Sequence, residues 1–147
     1  MKIYLDTCCL NRPFDDQRQP RVRLESEAVT LILEKTHKRE LEWIGSDVLV
    51  YELGQTKDAE RRERLILLAG QSKQTIETTE KILDRAETIE SSGFESYDAI
   101  HLASAEQAKV DIFLTTDDNL LKIANRNKQL FPFVVINPVK WLEEVLK

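Results

Sequence analysis

Short apolar runs separated by stretches of helical periodicity limit what this chain can fold into more than any other feature. The runs fall at residues 2–6 (Lys-Ile-Tyr-Leu-Asp), 41–45 (Leu-Glu-Trp-Ile-Gly), 111–115 and 133–136 (Phe-Val-Val-Ile). Continuous apolar runs of about four to eight residues suit strands buried on both faces. Residues 11–21, with Asn11, Pro13, Asp15, Asp16 and Pro20, read as a loop. From Leu24 to about Lys38, the residues Leu24, Ala28, Leu31 and Ile32 recur at helical spacing and predict an amphipathic helix. Ser46 and Asp47 offer an N-cap for a helix through Val48, Leu49, Glu52 and Leu53. The charged stretch from Lys57 to Arg64 starts another helix that continues to Ala69. A further helix is expected over residues 74–90, with Ile76, Ile82, Leu83 and Ile89 facing inward. Gly93 breaks the chain, and Ser96 caps a buried helix from Tyr97 to Lys109. Helices over 118–126 and 138–146 complete the pattern, with Pro138 near the first turn of the last.

Strands separated by helices imply a parallel sheet with helices on both faces. The expected fold class is therefore α/β: a three-layer α/β/α arrangement on a central parallel sheet of about four strands. A chain of 147 residues fits one domain. In such sheets the ligand site lies outside the carboxyl ends of the strands. Asp6 ends the first run, and Asp117 stands just past the third.

Two more acids belong with these. Glu52 lies well inside a mostly apolar helix between Leu49 and Leu53, and Asp98 stands in the first turn of its own helix. Each has a plain structural explanation. Asp6 could close a turn, with Thr7 either orienting its carboxylate or bonding that turn. Glu52 could border a buried face, and Asp98 could favour the helix dipole. His101 could be a polar residue in helix packing. One of Asp117 and Asp118 is expected to be an N-cap, which frees the other to face the sheet edge. Asp15, Asp16 and Glu25 read as solvated surface. The joint placement of Asp6, Glu52, Asp98 and Asp117 carries more weight than any single acid. A cluster of carboxylates repels itself unless a cation sits among them, which points to a hard-metal site acting on phosphate.

The net charge of -5 does not favour a whole-surface nucleic-acid binder. Four clustered acids account for most of that deficit and are neutralised by bound metal, and a local basic patch could still follow a phosphate backbone. The only cysteines, Cys8 and Cys9, are neighbours, and adjacent residues rarely form a disulfide. They read as packed small apolar residues in a reducing compartment. A zinc site is not expected, because His37 and His101 lie far apart and no second cysteine pair exists. No signal-peptide stretch or membrane span is visible, so a cytoplasmic protein is expected.

The run Tyr-Asp-Ala-Ile-His-Leu-Ala-Ser-Ala at 97–105, followed by Asp-Ile-Phe-Leu-Thr-Thr-Asp-Asp at 111–118, resembles the PIN-domain nucleases, and in particular their VapC-like toxins. The opening Ile-Tyr-Leu-Asp-Thr is similar to that family's first motif, and Glu52 falls where its helix-borne acid is expected. The resemblance covers nearly the whole chain in length and element order. It implies a metal-dependent ribonuclease in which Asp6, Glu52, Asp98 and Asp117 bind one or two Mg²⁺ or Mn²⁺ ions. Asp117 is preferred to Asp118 because it directly follows Thr115-Thr116, and Thr116 matches a hydroxyl position that supports the site. The resemblance also implies an RNA substrate cut to a 5′-phosphate and a 3′-hydroxyl, an antitoxin partner and a symmetric homodimer. The loop from Asn11 to Arg23 departs from the family, and Arg12, Arg21 and Arg23 could hold an RNA backbone there or be solvated.

Two other classes compete. A PIN-like module that has lost catalysis could still bind protein or RNA. A receiver domain or a haloacid-dehalogenase-type phosphatase also groups acids at strand ends, but Thr7-Cys8-Cys9 follows Asp6 where those folds need a second acid.

Overall fold

The computed structural model describes residues 1–145. Its elements in chain order are β1 (Lys2–Leu5), α1 (Thr7–Asn11), a 3₁₀ turn (Arg12–Phe14), α2 (Pro20–His37), β2 (Glu42–Ser46) and α3 (Asp47–Gly54). Then come α4 (Ala59–Ala69), β3 (Gln74–Ile76), α5 (Glu80–Glu90) and α6 (Ser96–Gln107). The chain continues through β4 (Ile112–Leu114), α7 (Asp118–Arg126), a second 3₁₀ turn (Lys128–Leu130), β5 (Val134–Ile136) and α8 (Pro138–Val145). Residue 146, expected to end the last helix, lies outside the described residues.

All five strands are parallel, in the order β3-β2-β1-β4-β5. The α/β class is as expected, with one more strand. Residues 74–76, expected to open a helix, instead form the edge strand β3, where Ile76 alone is buried. The supposed loop at 11–21 holds α1's end, a 3₁₀ turn and the start of α2, which Pro20 opens from its first position.

Alternation along the central strands divides the core between the two sheet faces. Tyr4, Ile44 and Phe113 stand side by side in register and pack under α5, α6 and α7. Ile3, Leu5, Trp43, Ile112 and Leu114 point the other way, against α1, α2, α4 and α8. With both faces covered, the central strands are apolar through residues 3–5, 43–45 and 112–114, as buried parallel strands require. Tyr4 stacks on Phe113 at 5.1 Å between ring centroids, and Phe113 on Phe133 at 6.0 Å.

Several helical faces are rotated from the expected ones. Ala28 and Ile32 of α2 are buried, but Leu24 and Leu31 are exposed, as is Leu83 of α5. Glu95, without a side-chain bond, caps α6 in place of Ser96. Ser46 does cap α3, accepting from the Leu49 amide at 3.1 Å. Among the described residues no helix is long and apolar enough to cross a membrane.

Candidate active site

The carboxyl ends of β1 and β4 are adjacent, since Leu5 pairs with Leu114. Asp6 follows directly and is nearly fully buried. A backbone bond from its amide to the Leu114 carbonyl (2.9 Å) extends the ladder by one residue. Its Oδ1 accepts from the Thr7 amide at 2.9 Å, capping α1, and its Oδ2 accepts from the Thr115 hydroxyl at 2.8 Å. Asp6 thus does close a turn, and it does so at the sheet's ligand-binding edge.

Helix α3 brings Glu52 to the same edge. Its Oε1 accepts from Thr7 Oγ1 at 2.8 Å and bonds His101 Nε2. Burial pushes the Glu52 pKa up, but the bonds from His101 and Thr7 outweigh it and hold this carboxyl below the usual range. His101 is completely buried, with Nε2 3.9 Å from Asp6 Oδ1. Burial works against a charge on this ring, whereas Glu52, Asp6 and Asp98 favour one and raise its pKa.

Asp98 opens α6 in the first turn, as read from the sequence. Its pKa is raised to about 7, first by burial and then by the charges of Asp6 and Asp117. Asp117 caps α7, its Oδ1 accepting from the Asn119 and Leu120 amides at 2.9 and 3.2 Å. Asp118 points elsewhere. It is exposed and held by both terminal nitrogens of Arg21 at 2.6 and 2.8 Å. Of the two neighbours, only Asp117 is among the charges that raise Asp98. The exposed rings of Tyr51 and Tyr97, each one residue before Glu52 or Asp98, lie 6.0 Å apart at the rim.

The four acids therefore share one edge of the sheet. They do not close into a cage: among the described residues no three His, Cys, Asp or Glu side chains converge tightly enough to enclose an ion. A cavity of about 560 Å³ lined by Thr36, His37, Leu41 and Trp43 opens at the start of β2, the opposite edge, and contains none of the acids.

The PIN domain family matches residues 3–126. The chain belongs to that family. Three solved structures share the PIN fold across more than nine-tenths of this chain. One is FitAcB from Neisseria gonorrhoeae, at 21% identity over 92% of this chain and 97% of that one, TM-score 0.56. A second is VapBC2 from Rickettsia felis bound to a DNA fragment from their promoter, at 12% identity over 93% and 98%, TM-score 0.56. A third is DNA-bound VapBC from Salmonella typhimurium, at 12% identity over 94% and 98%, TM-score 0.52. No curated protein matches the chain.

Several polar residues of this PIN domain differ from the sequence expectation. Thr115, not Thr116, supports Asp6, and its hydroxyl also accepts from the Asp117 amide at 3.1 Å, so one side chain ties both strand-end acids. The Thr116 hydroxyl is buried with no hydrogen-bond partner among the described residues. Glu25, expected at the surface, is buried and accepts from Arg12 (2.8 Å), Arg21 (3.3 Å) and Asn137 (2.6 Å). Asp15 is half-buried and bonds Arg12 and Arg61 at 2.9 and 2.6 Å. Arg12 is thus paired with Glu25 and Asp15, and Arg21 with buried Glu25 and exposed Asp118, so both guanidinium groups already hold carboxylates. Cys9 is buried, with its thiol pKa pushed up by burial, as expected of a packed and inert cysteine. Cys8 Sγ lies 3.5 Å from Asp6 Oδ2 and 3.4 Å from Thr115 Oγ1.

Proposed function

We propose that this PIN domain is a divalent-metal-dependent endoribonuclease acting in the cytoplasm as the toxin of a toxin–antitoxin pair. The observation that carries the proposal is the crowding of Asp98 by Asp6 and Asp117 at the carboxyl edge of the sheet. Unneutralised carboxylates placed together cost folding free energy, and such perturbed acids cluster at functional sites. The donor set fits Mg²⁺ or Mn²⁺, since all four groups are hard oxygen donors. Incomplete convergence is compatible with that choice, because Mg²⁺ takes only one or two protein carboxylates and keeps several waters.

Asp6, Glu52, Asp98 and Asp117 would hold the metal. Bound there, it supplies Lewis-acid stabilisation of the phosphodiester and a lowered pKa for water. The protein's own part is orientation. Asp6 is fixed from both sides by Thr7 and Thr115, so neither of its oxygens swings freely. Glu52 is kept ionised by Thr7 and His101. Asp98, raised to about 7 by burial and by the charges of Asp6 and Asp117, is an acid whose ionised form a bound cation would favour. No covalent nucleophile is needed.

The FitAcB and VapBC neighbours support an antitoxin partner, and the resemblance to VapC-like toxins implies a homodimer. The test is cleavage of a labelled structured RNA by the purified protein with Mn²⁺, Mg²⁺ or chelator, beside Asp6→Asn. Metal-dependent cutting lost in the variant is the expected result. A folded, partner-free protein that cuts no RNA would favour a second reading: a binding module that retains the acids without catalysis.

A further inference from the structure

Behind Glu52 runs a buried chain of hydrogen bonds that the hydrolysis itself does not use. Glu52 sits on a long, rotatable side chain, yet both of its bonds land on Oε1, from Thr7 and His101. Among the described residues Oε2 takes none. His101 is held from behind: its Nδ1 lies 2.5 Å from the Tyr4 hydroxyl, which lies 2.6 Å from Ser46 Oγ. Tyr4, Ser46 and His101 are all fully buried.

The chemistry of the groups orients this chain. Nε2 faces a carboxylate oxygen, which can only accept, so Nε2 must carry a hydrogen. When the ring is neutral Nδ1 is then an acceptor, and the only group on it among the described residues is the Tyr4 hydroxyl, which donates; a charged ring keeps its hydrogen on Nε2 as well and turns only the Tyr4 bond around. Ser46 Oγ already accepts from the Leu49 amide as the cap of α3, so its own proton is free to pass to Tyr4. The opposite direction sets a bare Nε2 lone pair against Glu52 and leaves the Ser46 proton without an acceptor. Because Ser46 caps the helix that carries Glu52, the chain begins and ends on the same element.

We infer that the Ser46–Tyr4–His101 chain fixes the hydrogen of His101 on Nε2 and pins Oε1 of Glu52, presenting Oε2 to a cation. His101 is a positioning residue, and Tyr4 acts through it from the core. This inference rests on the assignment of Glu52 as a metal-binding carboxylate. Outer partners of this kind typically change metal affinity by about 10- to 100-fold when removed.

Tyr4→Phe deletes one oxygen and keeps the ring that stacks on Phe113. Mn²⁺ binding followed by electron paramagnetic resonance compares wild type, Tyr4→Phe, His101→Gln and Asp6→Asn, each checked for folding by circular dichroism. The expected result is a dissociation constant about 10-fold weaker for Tyr4→Phe, at the low end of that range. His101→Gln, whose amide can donate from the Nε2 position, should stay closer to wild type. Tyr4→Phe within twofold of wild type, while Asp6→Asn loses binding, overturns the positioning role and leaves the metal site standing. Wild type that binds no Mn²⁺ overturns both. A second measurement needs no variant to fold: the ¹⁵N histidine spectrum of the wild type should show a hydrogen on Nε2 of His101. An unprotonated Nε2 overturns the inference outright.

Discussion

Replacing Asp98 by Asn should stabilise the metal-free protein while weakening its hold on a divalent cation. The folded-state pKa of Asp98 is about 7, against an ordinary 3.8. At about 1.4 kcal/mol per pKa unit, ionising this group in the fold carries a ceiling near 4 kcal/mol. The side chain is partly open to solvent, and screening reduces that to about 2 kcal/mol. Loss of a favourable charge in the first turn of α6 takes back about 0.5 kcal/mol. A net gain of about 1–2 kcal/mol remains, or about 3–6 °C in Tm for a chain of this size. The sign follows from proton counting. Between pH 3.8 and about 7 the folded protein binds more protons at Asp98 than the unfolded chain does. This group's share of stability is therefore full at low pH and lost as pH rises through 7. The advantage of Asp98→Asn should be largest near pH 8 and shrink toward zero as pH falls toward 4. Thermal unfolding of both proteins in chelator, across pH, measures this directly. A variant that is less stable at pH 8, or whose difference does not change with pH, refutes the crowding of Asp98 and leaves it a simple helix-end charge.

Other substitutions test other parts of the structure. Glu25→Ala removes the buried acceptor shared by Arg12, Arg21 and Asn137, and should cost about 3–5 kcal/mol, read as a fall of about 10 °C in melting temperature. Thr115→Val keeps the shape but removes the hydroxyl between Asp6 and the Asp117 amide; a loss of about 1.5–3 kcal/mol should lower RNA cleavage about 10- to 100-fold, and unchanged cleavage would deny Thr115 its orienting role. Gly93→Ala meets no atom within 4 Å but forces a side chain onto φ of +109°, so a destabilisation of about 1–2 kcal/mol in urea unfolding would be backbone strain alone.

The sequence was most legible where burial is two-sided. All four apolar runs became strands, the central three with interiors buried on both faces, and the helix over 118–126 has the bounds read from its pattern. Strand β3 was hidden because an edge strand with one buried residue has no pattern of its own. Leu24, Leu31 and Leu83 show the opposite failure, since helical spacing says which residues share a face and not which face meets the core. The acids at the ends of β1 and β4 could be placed because strand ends fix direction. Thr115 could not be separated from Thr116, as adjacent hydroxyls differ only in how the chain turns after Leu114. Glu25 was misread because a buried charge is defined by its partners: Arg12 lies nearby in sequence, but Asn137 comes from beyond β5.

The sheet order has a further consequence, for the time during which the chain is being made. β1 is the central strand, and one of its two neighbours, β4, is drawn from the last third of the sequence. At roughly 5–20 residues per second, Asp117 leaves the ribosome on the order of ten seconds after Asp6. Until then β1 can pair with β2 alone, with its other edge bare and the Asp6 side chain without the Thr115 hydroxyl. A nascent or prematurely terminated chain that stops short of residue 98 carries Asp6 and Glu52 but neither of the other two acids nor His101. Translation itself thus withholds the assembled edge until most of the polypeptide has emerged.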